Sequence, residues 1–308
     1  MKKLMVLSVI TAVMFLTWVS VAPAHAQGSA KDDKPTFYHL VPGVYVNGWP
    51  RFTIRYPKDW IERRPEPVQA FRVSPPGPAG YPALLVSFGS IPLPFETLAN
   101  DWFVKVLGLF NKEVTLLSDK PSKLRDGTPA REFEIHMLRN GLPLNTLNLI
   151  TKKADLVRIV AMESAVDPVT GKTGEDLKAI LYSIEFDPSK DGPVKVPPDV
   201  RQSLDKMDDD LVSHDLTKVM SHYSDRYLNS GSRKGEVERW WKENIGFMTS
   251  SRTVITDFVG EGDKAYFAGF NTWTGTGYWS SGTSPLSESL IKENGEWKWY
   301  GNQKDPAQ

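Results

Sequence analysis

The sequence predicts an α+β protein in two domains, each with an antiparallel sheet packed on helices. Three observations carry this. Asp187 to Pro198 holds four prolines and no hydrophobic periodicity. Proline lacks a backbone donor and restricts the residue before it, so no continuous element crosses this stretch. Both halves contain runs of period two ending at Asn-Gly pairs, and both contain apolar stripes at helical spacing. The 308 residues suit two domains at about 150 residues each. The expected organisation is a leader over 1–26, a flexible stretch over 27–36, a domain over 37–187, a linker over 188–198, a domain over 199–303 and a tail over 304–308.

Met1-Lys2-Lys3 precedes an almost wholly apolar run from Leu4 to Val21, and Ala24-His25-Ala26 follows. That order predicts a secretory signal peptide cleaved after Ala26 and a periplasmic or secreted bacterial protein. An uncleaved anchor is the alternative, since the run is near the lower limit for spanning a bilayer. Removal of the leader takes two lysines and no acid, leaving 35 basic against 37 acidic side chains.

In the first half, Phe52, Ile54 and Tyr56 alternate with polar neighbours, and Ala83 to Phe88 suits a buried strand. Leu98, Trp102, Val106 and Leu109 fall at spacings of four, four and three, which predicts an amphipathic helix. Phe133, Ile135 and Met137 alternate with Glu132, Glu134 and His136, which predicts a half-buried strand. Asn140-Gly141 then accommodates the two positive φ values of a type I′ turn, giving a hairpin over 130–151. Leu156 to Met162 continues as a strand, and a last helix runs through Leu177, Ile180, Leu181 and Ile184.

The second half starts helical. Val200, Leu204, Met207 and Leu211 form one stripe, which turns Asp208, Asp209 and Asp210 mostly to solvent. Leu216, Val219, Met220 and Tyr223 form a second, and Val237, Trp240, Trp241 and Ile245 a third. The period then changes to two over Thr253 to Phe258, Lys264 to Trp273, Leu286 to Lys292 and Glu296 to Tyr300, with Asn294-Gly295 as a second type I′ turn. Three helices on a curved four-stranded meander make an α+β cone.

Phe52-Thr53-Ile54-Arg55-Tyr56-Pro57-Lys58-Asp59-Trp60 resembles the strand, Tyr-Pro and Trp opening of the PsbP-like family, and the following order of strands, helix, long meander and closing helix is similar. The resemblance covers about residues 37 to 187 and implies an antiparallel-sheet α/β/α domain in a non-catalytic accessory protein. Ser287 through Lys292, the Asn294-Gly295 turn and Glu296-Trp297-Lys298-Trp299-Tyr300 resemble the tail of nuclear transport factor 2-like domains, including SnoaL-like members. This covers roughly 198 to 303. It implies a cone whose mouth binds small apolar molecules, in a superfamily of isomerases, dehydratases, binding proteins and association modules.

Composition removes several chemistries. With no cysteine there is no disulfide, thiolate nucleophile or Cys-ligated metal. Balanced charge, 37 basic against 37 acidic residues, argues against nucleic acid. The histidines outside the leader, at 39, 136, 214 and 222, have no helical zinc spacing, so no metal is expected, nor any cofactor.

Six of ten tryptophans lie in the second half. Tyr223, Trp241, Phe258, Tyr266, Phe270 and Trp273 are the candidates to line the cone around a flat apolar ligand. Alternatively these rings fill a small core or a dimer face. The segment from Asn271 to Ser284, with Trp273, Tyr278 and Trp279 among glycines and hydroxyls, reads either as a binding rim or as a hairpin end. His222 with Asp225 or Asp215 is the one acid–base pairing on offer, although Asp215 also stands where a helix cap belongs. Asp257 is a further carboxylate on a strand, turned outward by alternation.

The leading expectation is an exported, non-catalytic accessory protein whose second domain binds a small apolar ligand or an envelope protein partner. One alternative is an isomerase- or dehydratase-like enzyme using His222. The other is an interaction module that forms a homodimer through the sheet of its second domain.

Overall fold

In the computed structural model, residues 41–305 are described except 66–68, 79, 91–92, 153–156 and 277–280. The expected leader and flexible stretch, as well as Tyr278 and Trp279, lie outside the described residues. The fold class is α+β with antiparallel sheets. The chain divides into one unit made of Pro42–Val44 and Thr53–Glu185, and another made of Tyr45–Phe52 and residues 186–305. The early strands are β1 (Val44–Asn47), β2 (Phe52–Arg55), β3 (Ile61–Glu62), β4 (Phe71–Ser74) and β5 (Ala83–Ser90).

The first unit is built on a seven-stranded sheet. Its long strands are β6 (Lys112–Lys123), β7 (Pro129–Arg139), β8 (Leu142–Lys152) and β9 (Val157–Ala165), and the order is β3-β4-β5-β9-β8-β7-β6. Asn140 and Gly141 take φ values of 52° and 82°, so the β7–β8 hairpin turns as its sequence requires. Phe133, Ile135 and Met137 are buried beneath Leu98 and Ala99. The helical run that supplies those two residues changes character as it goes, a 3₁₀ turn over Phe95–Thr97, a π segment over Ala99–Val104 and an α turn over Lys105–Leu107. It ends before Leu109, the last member of the predicted stripe, which is 49% exposed.

The polar face of β7 is a correction to the half-buried strand. Helix α1 (Gly171–Leu181) packs on β8 and β9 on that side, and Glu132 is buried. Its carboxylate accepts from Tyr182 Oη at 2.7 Å and lies 3.0 Å from Lys120 Nζ and 3.1 Å from Lys178 Nζ. Burial opposes ionisation, but these three donors together hold the carboxyl below the usual glutamate range.

The second unit follows β10 (Glu185–Phe186), a strand of the small β1-β2-β10 sheet. Its helices are α2 (Pro198–Val212), α3 (Leu216–Ser221) and α4 (Lys234–Asn244), with a short β11 (Leu228–Asn229) and β12 (Ser232–Arg233) ribbon. Strands β13 (Met248–Glu261), β14 (Lys264–Gly275), β15 (Ser281–Glu293) and β16 (Glu296–Trp299) form a meander in that order. One face of the meander and the helices share a core of Val200, Leu204, Val219, Phe267 and Leu290. The proline-rich stretch belongs to this unit. It makes a 3₁₀ turn over Pro188–Lys190, and Val194 N–H donates to Ile255 O.

The other face of the meander is covered by residues 45–52. The Trp49 ring lies 4.3 Å from that of Phe270, and Arg51 reaches Asp257 at 3.4 Å. Gly48 permits this approach, because a Cβ there would strike Ala268 Cβ and Ser287 Oγ.

The Glu132 cluster has a pH signature. A carboxyl whose folded value is depressed contributes stability above the ordinary glutamate range, and that contribution is lost as pH falls through the folded value. Glu132→Gln should therefore cost about 1–2 kcal/mol at pH 7, discounted for two partly exposed lysines. In urea titrations the gap from wild type should close towards pH 3. A gap independent of pH would show that the charge is not what matters.

Candidate functional site

Alternation along the meander decides which side chains can meet the helices. On β14, Ala265, Phe267, Asn271 and Trp273 share one face, and on β15 the matching face carries Ser284, Leu286, Glu288 and Leu290. Helix α2 turns Met207, Asp208 and Leu211 towards this surface, and α4 contributes Val237, Trp240 and Trp241. Between them is a partly open cavity of about 100 Å³, bordered also by Tyr223, Tyr227 and Trp299.

The segment after α3 is laced to β16. Trp299 N–H donates to His222 O at 2.7 Å, and Ser224 N–H to Trp299 O at 3.0 Å. This sets the Tyr223 ring against that of Trp299, with centroids 6.3 Å apart and stacked. Trp241 Nε1–H donates to Tyr223 Oη at 3.1 Å, and Tyr227 meets Tyr223 edge-on at 5.2 Å. Both phenols are pushed well above the ordinary tyrosine value, chiefly by burial and further by the charge of Glu288.

Two carboxylates enter the cavity wall, and neither was a sequence candidate. Asp208 is 5% exposed and Glu288 3%. Asp208 accepts from Ser251 Oγ at 2.6 Å, from Thr253 N–H at 2.7 Å, and from Thr253 Oγ1 and Asn271 Nδ2 at 3.0 Å each. Burial raises its carboxyl above the usual aspartate value in spite of these donors. Among the described residues, those lining the cavity include no lysine, arginine or histidine.

The expectation that Asp208, Asp209 and Asp210 face solvent is corrected for two of them. Asp208 follows Leu204 by four residues and precedes Leu211 by three, so it shares the buried stripe. Asp210 turns to His222, with Oδ2 2.7 Å from Nε2. Only Asp209 is exposed. Glu288 carried a signal of its own, because it alternates with Leu286 and Leu290 on the apolar side of β15.

Of the six aromatic candidates, Tyr223 and Trp241 line the cavity. Tyr266 and Phe270 do not, because alternation sends them to the opposite face, where Phe270 meets Trp49. Phe258 packs against the core without reaching the cavity. Trp273 has the right face but is spent on filling it, donating from Nε1 to Ser284 Oγ at 3.1 Å and meeting Phe247 edge-on. Conversely, Tyr227, Trp240 and Trp299 line the cavity without having been candidates for it.

The acid–base candidates are not brought together. His222 is buried against Asp210, away from the cavity lining. Asp215 caps α3 by accepting from Lys218 N–H at 3.2 Å. Asp225 stands in solvent, 2.7 Å from Lys234 Nζ. Asp257 lies on the outer face with Arg51, past a register shift between Ile255 and Asp257. Among the described residues, no group of three or more His, Asp or Glu side chains is placed to hold a metal.

No family model matches the chain, and no curated protein matches it. Solved structures similar to it include the solution structure of cyanobacterial PsbP from Synechocystis sp. PCC 6803, at 15% identity and TM-score 0.41, covering 52% of this chain and 98% of that one. Another is an NTF2-like protein of unknown function from Burkholderia pseudomallei K96243, at 15% identity and TM-score 0.24, covering 31% of this chain and 82% of that one. A third, of unknown function with a cystatin-like fold, is from Nostoc punctiforme PCC 73102, at 12% identity and TM-score 0.28, covering 35% and 91%. No residue, ligand or partner is carried over from them.

Removing the Asp208 carboxylate strands buried donors on two strands. Asp208→Ala should destabilise the protein by about 2–3 kcal/mol, and Asp208→Asn, which keeps an acceptor oxygen, by clearly less. Urea midpoints at constant m-value measure both.

Proposed function

We propose that this chain is an exported accessory protein whose second unit holds a small, ring-sized, largely apolar molecule. The observation that carries the reading is the partly open cavity of about 100 Å³ bordering the packed core. Protein interiors are close-packed, so unfilled apolar space leaves its lining short of contact partners. Apolar ligand atoms seated there supply those contacts and leave water. The cavity walls of Met207, Leu211, Val237, Trp240, Trp241 and Leu286 offer polarizable and aromatic contact. The cationic start, apolar run and Ala24-His25-Ala26 support export. A catalytic reading through His222 lacks support, because His222, Asp215 and Asp225 each have a separate structural partner.

The test is binding by the full chain. Benzyl alcohol and indole at about ten times their Kd should each raise Tm by a few degrees, and native mass spectrometry of freshly purified protein should show a retained small molecule. Val237→Phe, which grows a ring into the cavity from α4, should stay folded and abolish the shift. No shift with either probe, or an equal shift in the variant, would overturn the reading.

A further inference from the structure

We infer that the molecule held in this cavity carries a neutral hydrogen-bond acceptor of the carbonyl kind, bound by the Tyr223 hydroxyl. This rests on the binding reading above and adds the polar group that the cavity recognises. A phenol has one proton to donate and lone pairs that accept. In Tyr223 the accepting side is occupied, because Trp241 Nε1–H donates to Oη at 3.1 Å. The proton is left to point away from the indole. Among the described residues it meets no acceptor, and both members of the pair line the cavity. Tyr223 is only 7% exposed, so the donor is withdrawn from bulk water. Nor can the ring turn away to find a partner elsewhere, since stacking on Trp299, edge contact with Tyr227 and the backbone bonds to β16 hold it. Ser284 is arranged alike on β15. Its Oγ accepts from Trp273 Nε1 at 3.1 Å, it is 6% exposed, and its own proton also meets no acceptor among the described residues.

A buried donor without an acceptor is unfavourable, and a ligand oxygen that accepts from it removes the penalty. Burial holds the phenol well above the ordinary tyrosine value, so the proton stays in place at neutral pH. An anionic acceptor, a carboxylate or phosphate, would enter an apolar space whose described lining has no basic side chain to balance it. A molecule with donors alone would bring a proton to a proton. A hydrocarbon would gain apolar contact and leave the hydroxyl as it is. A ring-sized ketone or aldehyde satisfies the donor while carrying neither a charge nor a second proton that needs a partner of its own.

The experiment compares acetophenone with isopropenylbenzene, the same skeleton with a methylene in place of the carbonyl oxygen, on the full chain at pH 7. In the wild type, isotope-edited infrared difference spectroscopy should place the carbonyl stretch of bound acetophenone at lower frequency than in hexane, as hydrogen bonding requires. Tyr223→Phe keeps the ring and removes the donor. By calorimetry it should weaken acetophenone about five- to ten-fold, the worth of one hydrogen bond, and hold isopropenylbenzene at its wild-type affinity. The stretch should return towards its hexane position. A hexane-like stretch in the wild type would overturn the acceptor inference while the binding reading stands, and this measurement needs no variant. Equal loss of both compounds in a folded Tyr223→Phe protein would also overturn it, as would a stretch or a ketone affinity that the substitution does not move. Failure of both compounds to bind the wild type would overturn the cavity reading along with it.

Discussion

The Asp208 carboxylate fixes where α2 sits on the meander, and the shape of the second unit depends on that. Apolar contact is non-directional, so a helix held by it alone would settle until the space beneath it closed. Bonds of 2.6–3.0 Å from Ser251 and Thr253 on β13 and Asn271 on β14 are directional, and they set the height of the helix. The rest of α2 is fastened similarly. Arg201 Nη1 donates to Thr253 O at 2.9 Å, Ser203 Oγ to Trp297 O at 2.9 Å, and Trp297 Nε1 to Asp199 at 2.8 Å. A helix pinned by polar bonds through its first half and again at Asp208 keeps its height above the cavity.

Much of this architecture was legible because strands and helices advertise their periods. The type I′ turns at Asn140-Gly141 and Asn294-Gly295, the stripe on α2 and the buried run of β5 follow from residue spacing alone. The paired faces were less legible. Glu132, Glu134 and His136 look like a solvent face until α1 lies over β8 and β9, and that packing joins residues about fifty positions apart. The edge strand β6 passes through Lys, Ser and Pro residues with bulges on the way, so its alternation is broken where a clean period would have revealed it.

The cavity was half legible for a related reason. Aromatic abundance drew attention to the second half, but abundance does not distinguish the two faces of a strand. Tyr266 and Phe270 share a face that residues 45–52 cover, and that cover comes from more than two hundred residues upstream. The informative signal was the opposite of abundance. A lone Glu288 among Leu286 and Leu290, and a lone Asp208 in a stripe of Leu204 and Leu211, each break an apolar pattern at an inward position. Charges are rarely fully buried unless something compensates them, so an acid in phase with the core marks a place where the fold has a polar task.

The two acids sit in different surroundings on the same wall. Asp208 accepts from Ser251 and Thr253 on β13 and from Asn271 on β14, so one carboxylate joins α2 to two strands of the meander. Glu288 stands on β15 in phase with Leu286 and Leu290, and its charge adds to burial in raising the phenols of Tyr223 and Tyr227. The electrostatics of the cavity wall thus follow from where helix phase and strand alternation place two acids, and its apolar character from the rings and aliphatic side chains between them.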